Sequence, residues 1–407
     1  MRSDTRRSTT TAGRIASVAA VVLLASSTAA CGTLSPSAAP TVLAPTATVS
    51  PPDPAVVAAH RSAGIPLFAE DSTIPPAVTI RADAASSTRT ATVSELTYVG
   101  ARGQVGALLV VPAGSDLQPA VIMLGDMPGS LRDLLPPALD LAGAGVISLV
   151  VDAPFERAHR IAPGIEPLNF TAQDRDEQIQ LIIDLRKAVD LLVARPDVDQ
   201  NAIGFLGWGY GASMGGLFAG VEPRLAASVI EAGNGGLVSH FATLGDASPL
   251  AALTPAVRAS WIAAMDPIEP LYYVGNASGP VLFQAGTQDT VTTPIEAARF
   301  AAAGSSRSSA SWYDTGHDLG DTASCDAAKF LGDHLGFDGS AVSACGTAPA
   351  YLDPYSWIAI LGLFVLMIAV RLVVRMRQRR PPPEPDDEDD TGDGSTPPII
   401  RVGSGPA

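Results

Sequence analysis

The sequence predicts an α/β fold: a mostly parallel sheet flanked by helices, with one transmembrane helix near the C-terminus. Over residues 65–336, short β-branched runs alternate with longer stretches of helical period. The runs PAVIMLGDMPG, GVISLVVDAP, AIGFLG, AASVIEAG and GPVLFQAG are apolar almost throughout, as strands covered on both faces must be. Residues 355–374, YSWIAILGLFVLMIAVRLVV, form an apolar stretch long enough to cross the ~30 Å core of a bilayer as a helix.

At the N-terminus, Arg2, Arg6, Arg7 and Arg14 precede an apolar run that grades into small residues and ends at Cys31, the layout of a signal peptide over residues 1–31. Thr28-Ala29-Ala30-Cys31-Gly32 resembles a bacterial lipobox, with Thr28 where leucine is usual. Lipidation of Cys31 is the expectation; cleavage without lipid and an uncleaved anchor are the alternatives. All three export the chain beyond Cys31. Residues 32–62, rich in Ala, Pro, Ser and Thr and without a hydrophobic period, read as a tether.

The α/β domain is expected over residues 63–340. TVSELTYVG and VGALLVVPAG, separated by Ala-Arg-Gly-Gln, form an antiparallel lead-in. The clearest helix runs over residues 174–194, where Ile179, Ile182, Ile183, Leu185, Val189, Leu192 and Val193 line one face before Arg195-Pro196-Asp197 stops it. A juxtamembrane linker, 341–354, leads to the transmembrane helix, 355–375. Tyr355 and Trp357 mark one membrane interface, and Arg375, Arg377, Arg379 and Arg380 mark the cytoplasmic one. That topology places the domain outside the cell and residues 376–407, Pro-rich and then acidic, in the cytoplasm as a solvated tail whose partner is unknown. Apart from Cys31, Cys325 and Cys345 are the only cysteines, and a pair in an exported domain predicts a disulfide.

The formal charge of −15 overstates the acidity of the folded part, because seven acids cluster in the tail between Glu384 and Asp393. No basic stripe interleaved with aromatics is present, which excludes a nucleic-acid partner. Metal-ligand spacing and a phosphate-cradling loop are both missing, so no metal and no cofactor is expected.

In an open sheet, chemistry gathers where strands end. Four such places matter: Gly125-Asp126-Met127 after PAVIML, Asp152 after ISLVV, Glu231 after ASVI and Asp289 after VLFQAG. The fifth is GWGYGASMGG, residues 207–216, and His317 comes after SSASWYD. Candidate turn, then acid, then histidine is the chain order of serine hydrolases built on such sheets. Over residues 93–335 the chain resembles the dienelactone hydrolase and acetyl xylan esterase type of α/β-hydrolase. LVVDAPFER, DLLVARPDVDQNAIGFLGWGYGA, LFAGVEPRLAASVI and VLFQAGTQDTVTTPIEAARF followed by WYDTGHDL carry the likeness. It implies an α/β-hydrolase fold, with Asp289 as the acid that orients His317 and His317 as the base that activates a serine.

Two frames compete for that serine: Gly207, Gly209, Gly211 around position 209, and Gly211, Ser213, Gly215 around position 213. The strand AIGFL runs directly into Gly207, so a turn at 209 comes at once, whereas a turn at 213 leaves an insertion and a helix shorter than ~11 residues. The resemblance is free of gaps only with Gly209 at the nucleophile position. Ser213 then lies about one helical turn, ~6 Å, beyond it. Gly125, Asp126, Met127 and Tyr210 form the region of the oxyanion hole, where an aspartate opposes a developing negative charge. Asp152, Trp208 and Glu231 are expected at the pocket rim.

These residues predict a membrane-anchored, extracytoplasmic hydrolase scaffold that has lost its nucleophile and binds a small-molecule ligand or a partner. The alternative is an active ester hydrolase using Ser213 with His317 and Asp289. A third reading has His317 activating water directly, assisted by Asp126 or Glu231.

Overall fold

The computed structural model describes residues 49–70, 76–114, 116–153, 168–346 and 371. All of them lie in the second of two compact units, residues 44–407. The signal segment with Cys31, the tail, and the 355–375 stretch apart from Arg371 fall outside the described residues. Among the described residues no helix is long and apolar enough to cross a membrane.

The sheet has nine strands in the order β1-β2-β3-β5-β4-β6-β7-β8-β9. Strands β4 (Gln118–Leu124), β5 (Ile147–Val151), β6 (Val198–Trp208), β7 (Ala227–Glu231), β8 (Val281–Gly286) and β9 (Ser309–Tyr313) run parallel to their neighbours in that set. β5 and β8 are buried at every position, which is why their sequences are continuously apolar. The lead-in is antiparallel, β2 (Ala91–Gly100) against β3 (Gly103–Pro112), with Gly100 opposite Gly103, so the turn is only Ala101-Arg102. A further antiparallel edge strand, β1 (Val78–Ala82), escapes sequence reading because all its residues are exposed and it has no buried face to give it alternation.

Helices cover both faces. α1 (Pro54–Gly64) overlaps the end of the stretch read as tether, 32–62, and runs two residues past it. Asp53 caps it, and Arg61 Nε donates to the Tyr272 carbonyl at 2.6 Å, tying the helix to the domain. α2 (Leu135–Gly143) packs on the face that also carries α8 (Gly320–Leu335), with Ala138, Leu141, Ala328 and Leu331 in one core. α3 (Ala172–Val193), α4 (Tyr210–Val221), α5 (Leu237–Thr243), α6 (Pro255–Met265) and α7 (Pro294–Ala302) complete the set before α8. On the other face Leu181, Ile182, Leu185, Val189 and Leu192 of α3 pack with Leu217 and Phe218 of α4. Within α3 the buried face follows the predicted spacing, while Ile179, Ile183 and Val193 are only half-buried. Its buried Asp174 accepts the Trp261 indole N–H at 2.7 Å. A short helix, α9 (Ser343–Gly346), carries Cys345, whose disulfide to Cys325 joins it to α8. The domain thus extends past residue 340 into the expected linker.

Helix α4 determines where the site lies. It is buried all round except at its last residue, so its register is held by close packing and not by an amphipathic stripe. A Cβ on Gly211 would come within 2.2 Å of the Leu124 carbonyl oxygen, so glycine there lets the helix sit against β4. At its far end Arg224 grips the buried Glu222 with Nε to Oε1 and Nη2 to Oε2, both 2.7 Å, and reaches Asp190 at 2.6 Å. Burial raises the Glu222 carboxyl, but the Arg224 guanidinium outweighs it and the net displacement is downward.

Candidate active site

Strand β6 runs without interruption into Gly209, and α4 starts at the next residue. Gly209 has φ 56° and ψ −116°, a backbone conformation that disfavours a side chain. A tight strand-to-helix turn is the kind of setting in which serine hydrolases mount a nucleophile, and here glycine stands at its centre. Ser213 lies one turn into the helix: its backbone N–H donates to the Gly209 carbonyl at 3.1 Å. Its side chain is buried, with Oγ donating to Asn234 Oδ1 and accepting the Asn234 backbone N–H, both at 2.9 Å.

The acid and the histidine meet. Asp289 follows β8 and His317 follows β9, and Nδ1 of His317 lies 2.7 Å from Asp289 Oδ2. The other Asp289 oxygen accepts the backbone N–H groups of Val291 at 2.8 Å and Thr292 at 3.0 Å, which fixes the carboxylate. Thr292 is itself pinned by its hydroxyl, which donates to the Ala232 carbonyl at 2.8 Å.

Asp126, at the end of β4, turns into the site. Its Oδ1 accepts two backbone N–H groups, from Met127 at 2.7 Å and Tyr210 at 2.8 Å. Its Oδ2 stands 3.3 Å from His317 Nε2. The N–H after the elbow residue and an N–H from the loop after this strand are the donors that build an oxyanion hole. A Cβ added to Gly209 would fall 2.2 Å from Asp126 Cγ. The Asp126 carboxylate therefore occupies the volume a side chain at position 209 would take, and the missing Cβ at 209 is what leaves room for it.

The electrostatics follow from this arrangement. His317 is bracketed by two carboxylates, and the hydrogen bonds to Asp126 and then Asp289 raise its pKa to about 9, against a smaller opposing effect of burial. The imidazole is therefore cationic at neutral pH and donates from both nitrogens. Burial raises the Asp126 carboxyl, but hydrogen bonds from His317, Tyr210 and Met127 outweigh this and hold it below the usual range.

Of the three residues expected at the rim, Trp208 stacks on His317 with ring centroids 6.2 Å apart. Glu231 contributes its backbone carbonyl, which accepts the Gly209 N–H at 2.9 Å, and borders a different cavity. Asp152 pairs its N–H with the Gly106 carbonyl at 3.0 Å and lines neither cavity. None of the three lines the cavity over His317: Trp208 and Glu231 border a second cavity, and the Asp152 side chain lies beside Gly106 of β3. Gly125 serves as backbone, its carbonyl accepting the Gly211 N–H at 3.0 Å.

Above Asp126, Gly209 and His317 lies a cavity of about 340 Å³ that also touches Ser213, Met214 and Phe241. Sequence reading misses Asn234 and His240 in its wall. Asn234 stands only three residues beyond Glu231, so following the strand-end rule past the first polar residue finds it. His240 Nδ1 is 2.8 Å from Glu296 Oε1, a pair brought together by tertiary packing of α5 on α7. Among the described residues no group of three or more His, Cys, Asp or Glu could hold a metal ion.

No protein-family model matches the chain, and no curated protein does. Among solved structures it is similar to acetyl xylan esterase 1 from Thermoanaerobacterium sp., with 19% identity and a TM-score of 0.51 over 70% of this chain and 94% of that one. It is also similar to an acetyl xylan esterase from Paenibacillus sp., with 17% identity and a TM-score of 0.53 over 71% of this chain and 97% of the other. At these identities the likeness establishes a shared fold and leaves the activity to the site itself.

Proposed function

We propose that this chain, which has the α/β-hydrolase fold, is a hydrolase scaffold without ester-hydrolysing activity: membrane-anchored, extracytoplasmic, and a binder of a small polar ligand in the cavity over Asp126 and His317. The observation that carries the reading is the Asp126 carboxylate over Gly209, satisfied by Met127, Tyr210 and His317. An ester carbonyl entering this site would meet a negative charge where its own oxyanion must form. The oxyanion donors are already engaged, and no hydroxyl is offered at the elbow. The anchoring half of the proposal rests on the signal layout at Cys31, on the apolar stretch 355–375 and on the arginines beyond it.

For Ser213 to act as nucleophile, it would have to abandon both hydrogen bonds to Asn234, and His317 would have to release Asp126. No observation favours that reading over the first. Steady-state hydrolysis of p-nitrophenyl acetate by the purified full-length protein is the test. The proposal expects a rate equal to buffer that is unchanged by His317→Ala; turnover that disappears with His317→Ala sinks it. Protease accessibility of the domain in intact cells, with the tail protected, tests the topology.

A further inference from the structure

Gln178, on α3, borders the cavity of about 340 Å³ above Asp126 and His317, although only 4% of the residue is exposed. Its Nε2 is buried without a hydrogen-bond partner. Its Oε1 likewise receives no donor among the described residues. A buried carboxamide with neither end paired is costly, and native proteins seldom leave one so. Its chemistry specifies what would satisfy it: one acceptor and one donor, side by side.

The charged groups of the same wall already have partners. Asp126 accepts the Met127 and Tyr210 N–H groups and faces His317, whose other nitrogen meets Asp289. His240 Nδ1 lies 2.8 Å from Glu296 Oε1. Among the described residues no Lys or Arg lines the cavity. A carboxylate or phosphate would find no free cation there, and an ammonium would find no unengaged carboxylate. Asn234 adds a neutral donor. Its Oδ1 accepts the Ser213 hydroxyl at 2.9 Å and the Gly236 N–H at 3.0 Å, and the backbone donor fixes which end is oxygen. Its Nδ2 therefore stands without a protein acceptor among the described residues. Met214, Leu237, Phe241 and Leu244 supply apolar wall.

We infer that this cavity binds a neutral carboxamide on a small apolar body, the ligand's amide lying edge to edge with that of Gln178 so that each N–H donates to the other's carbonyl. The inference rests on the reading of this cavity as a ligand site. Its volume is at the low end of the ~300–1,000 Å³ typical of ligand pockets, which suits a single substituted ring.

The test is isothermal calorimetry on the full-length protein in detergent micelles with three ligands of similar size. Benzamide carries the donor and the acceptor, acetophenone keeps the carbonyl and lacks the N–H, and benzylamine is a cation. The expected result is at least tenfold tighter binding of benzamide than of either other compound. Gln178→Leu, similar in size and without the amide, removes that preference. Equal affinity of wild type for benzamide and acetophenone overturns the proposal without need of any variant, as does tighter binding of benzylamine. A preference that survives Gln178→Leu overturns it too. Turnover of p-nitrophenyl acetate would sink the reading of the scaffold as inactive and leave this comparison untouched, so the two failures are told apart.

Discussion

Replacing Asp126 by Asn removes one of the two carboxylates that bracket His317 while keeping an oxygen to accept the Met127 and Tyr210 N–H groups. The histidine pKa stands at about 9 against an ordinary 6.5. That gap corresponds to on the order of 3 kcal/mol. A raised histidine pKa favours the folded state most at pH values below 6.5, and the contribution is lost as pH rises through 9. Asp126 itself acts with the opposite sign, since its lowered pKa gives stability present above the ordinary carboxyl range and lost as pH falls through its folded value. Because Asp126 is the largest contributor to the histidine shift, Asp126→Asn is expected to lower the His317 pKa by about one unit or more, an effect typical of one neighbouring carboxylate. The assay is a ¹⁵N-edited NMR pH titration of the imidazole in wild type and variant, accompanied by Tm between pH 6 and 10. In wild type Tm falls as the histidine deprotonates; in the variant the fall is smaller and begins at lower pH. A wild-type His317 titrating at or below 6.5, or a value unmoved by Asp126→Asn, refutes the reasoning.

Gly209→Ser alone is expected to remain inactive and to lose roughly 2–4 kcal/mol, from a positive φ and from displaced charge-assisted hydrogen bonds to Asp126. Gly209→Ser combined with Asp126→Gly frees the clashing volume and both N–H donors, and p-nitrophenyl acetate turnover should appear; a folded but silent double variant shows that the remaining machinery is misplaced. Arg224→Ala leaves Asp190 buried without its guanidinium and Glu222 with only Arg186 at 3.3 Å, and should cost about 3 kcal/mol in denaturant unfolding, a loss under about 1 kcal/mol contradicting the packing described for the end of α4. Cys345→Ser opens a bridge between residues separated by 20 positions and should cost about 3 kcal/mol, with Tm as the readout and no change in the His317 titration.

Much of this architecture is legible in the sequence because buried parallel strands announce themselves. The five core runs from PAVIML to VLFQAG are continuous apolar segments, and helix α3 carries a regular apolar face. β1 has no such signature, since an exposed edge strand has no hydrophobic period to read. The ends of the domain are blurred for a related reason. α1 is capped by Asp53 within Pro- and Ala-rich surroundings that look like a tether, and it is fixed by polar contacts to Tyr272 and Tyr273 that lie far away in sequence. At the site, spacing together with the family resemblance leads to the expectation of glycine at the elbow, and the Asp289 and His317 that the resemblance pairs lie 2.7 Å apart. Spacing does not reveal the direction of a side chain. Asp126 in GDMPG carries no local mark that it turns inward, and Glu231 and Asp152 carry none that they turn elsewhere. The Asp126 orientation is set by the backbone N–H groups of Met127, after β4, and Tyr210, at the start of α4.

The proposed function rests on the Asp126 carboxylate standing beside His317 over Gly209, where a serine hydrolase would carry its hydroxyl. Incubating the full-length protein with a fluorophosphonate probe and weighing the intact chain by mass spectrometry tests this most directly, because the probe reacts only with a serine whose proton a neighbouring base removes. No adduct is expected on wild type, and a stoichiometric adduct is expected on the Gly209→Ser, Asp126→Gly double variant. A stoichiometric adduct on wild type, mapped to Ser213 and abolished by Ser213→Ala, would contradict the assignment.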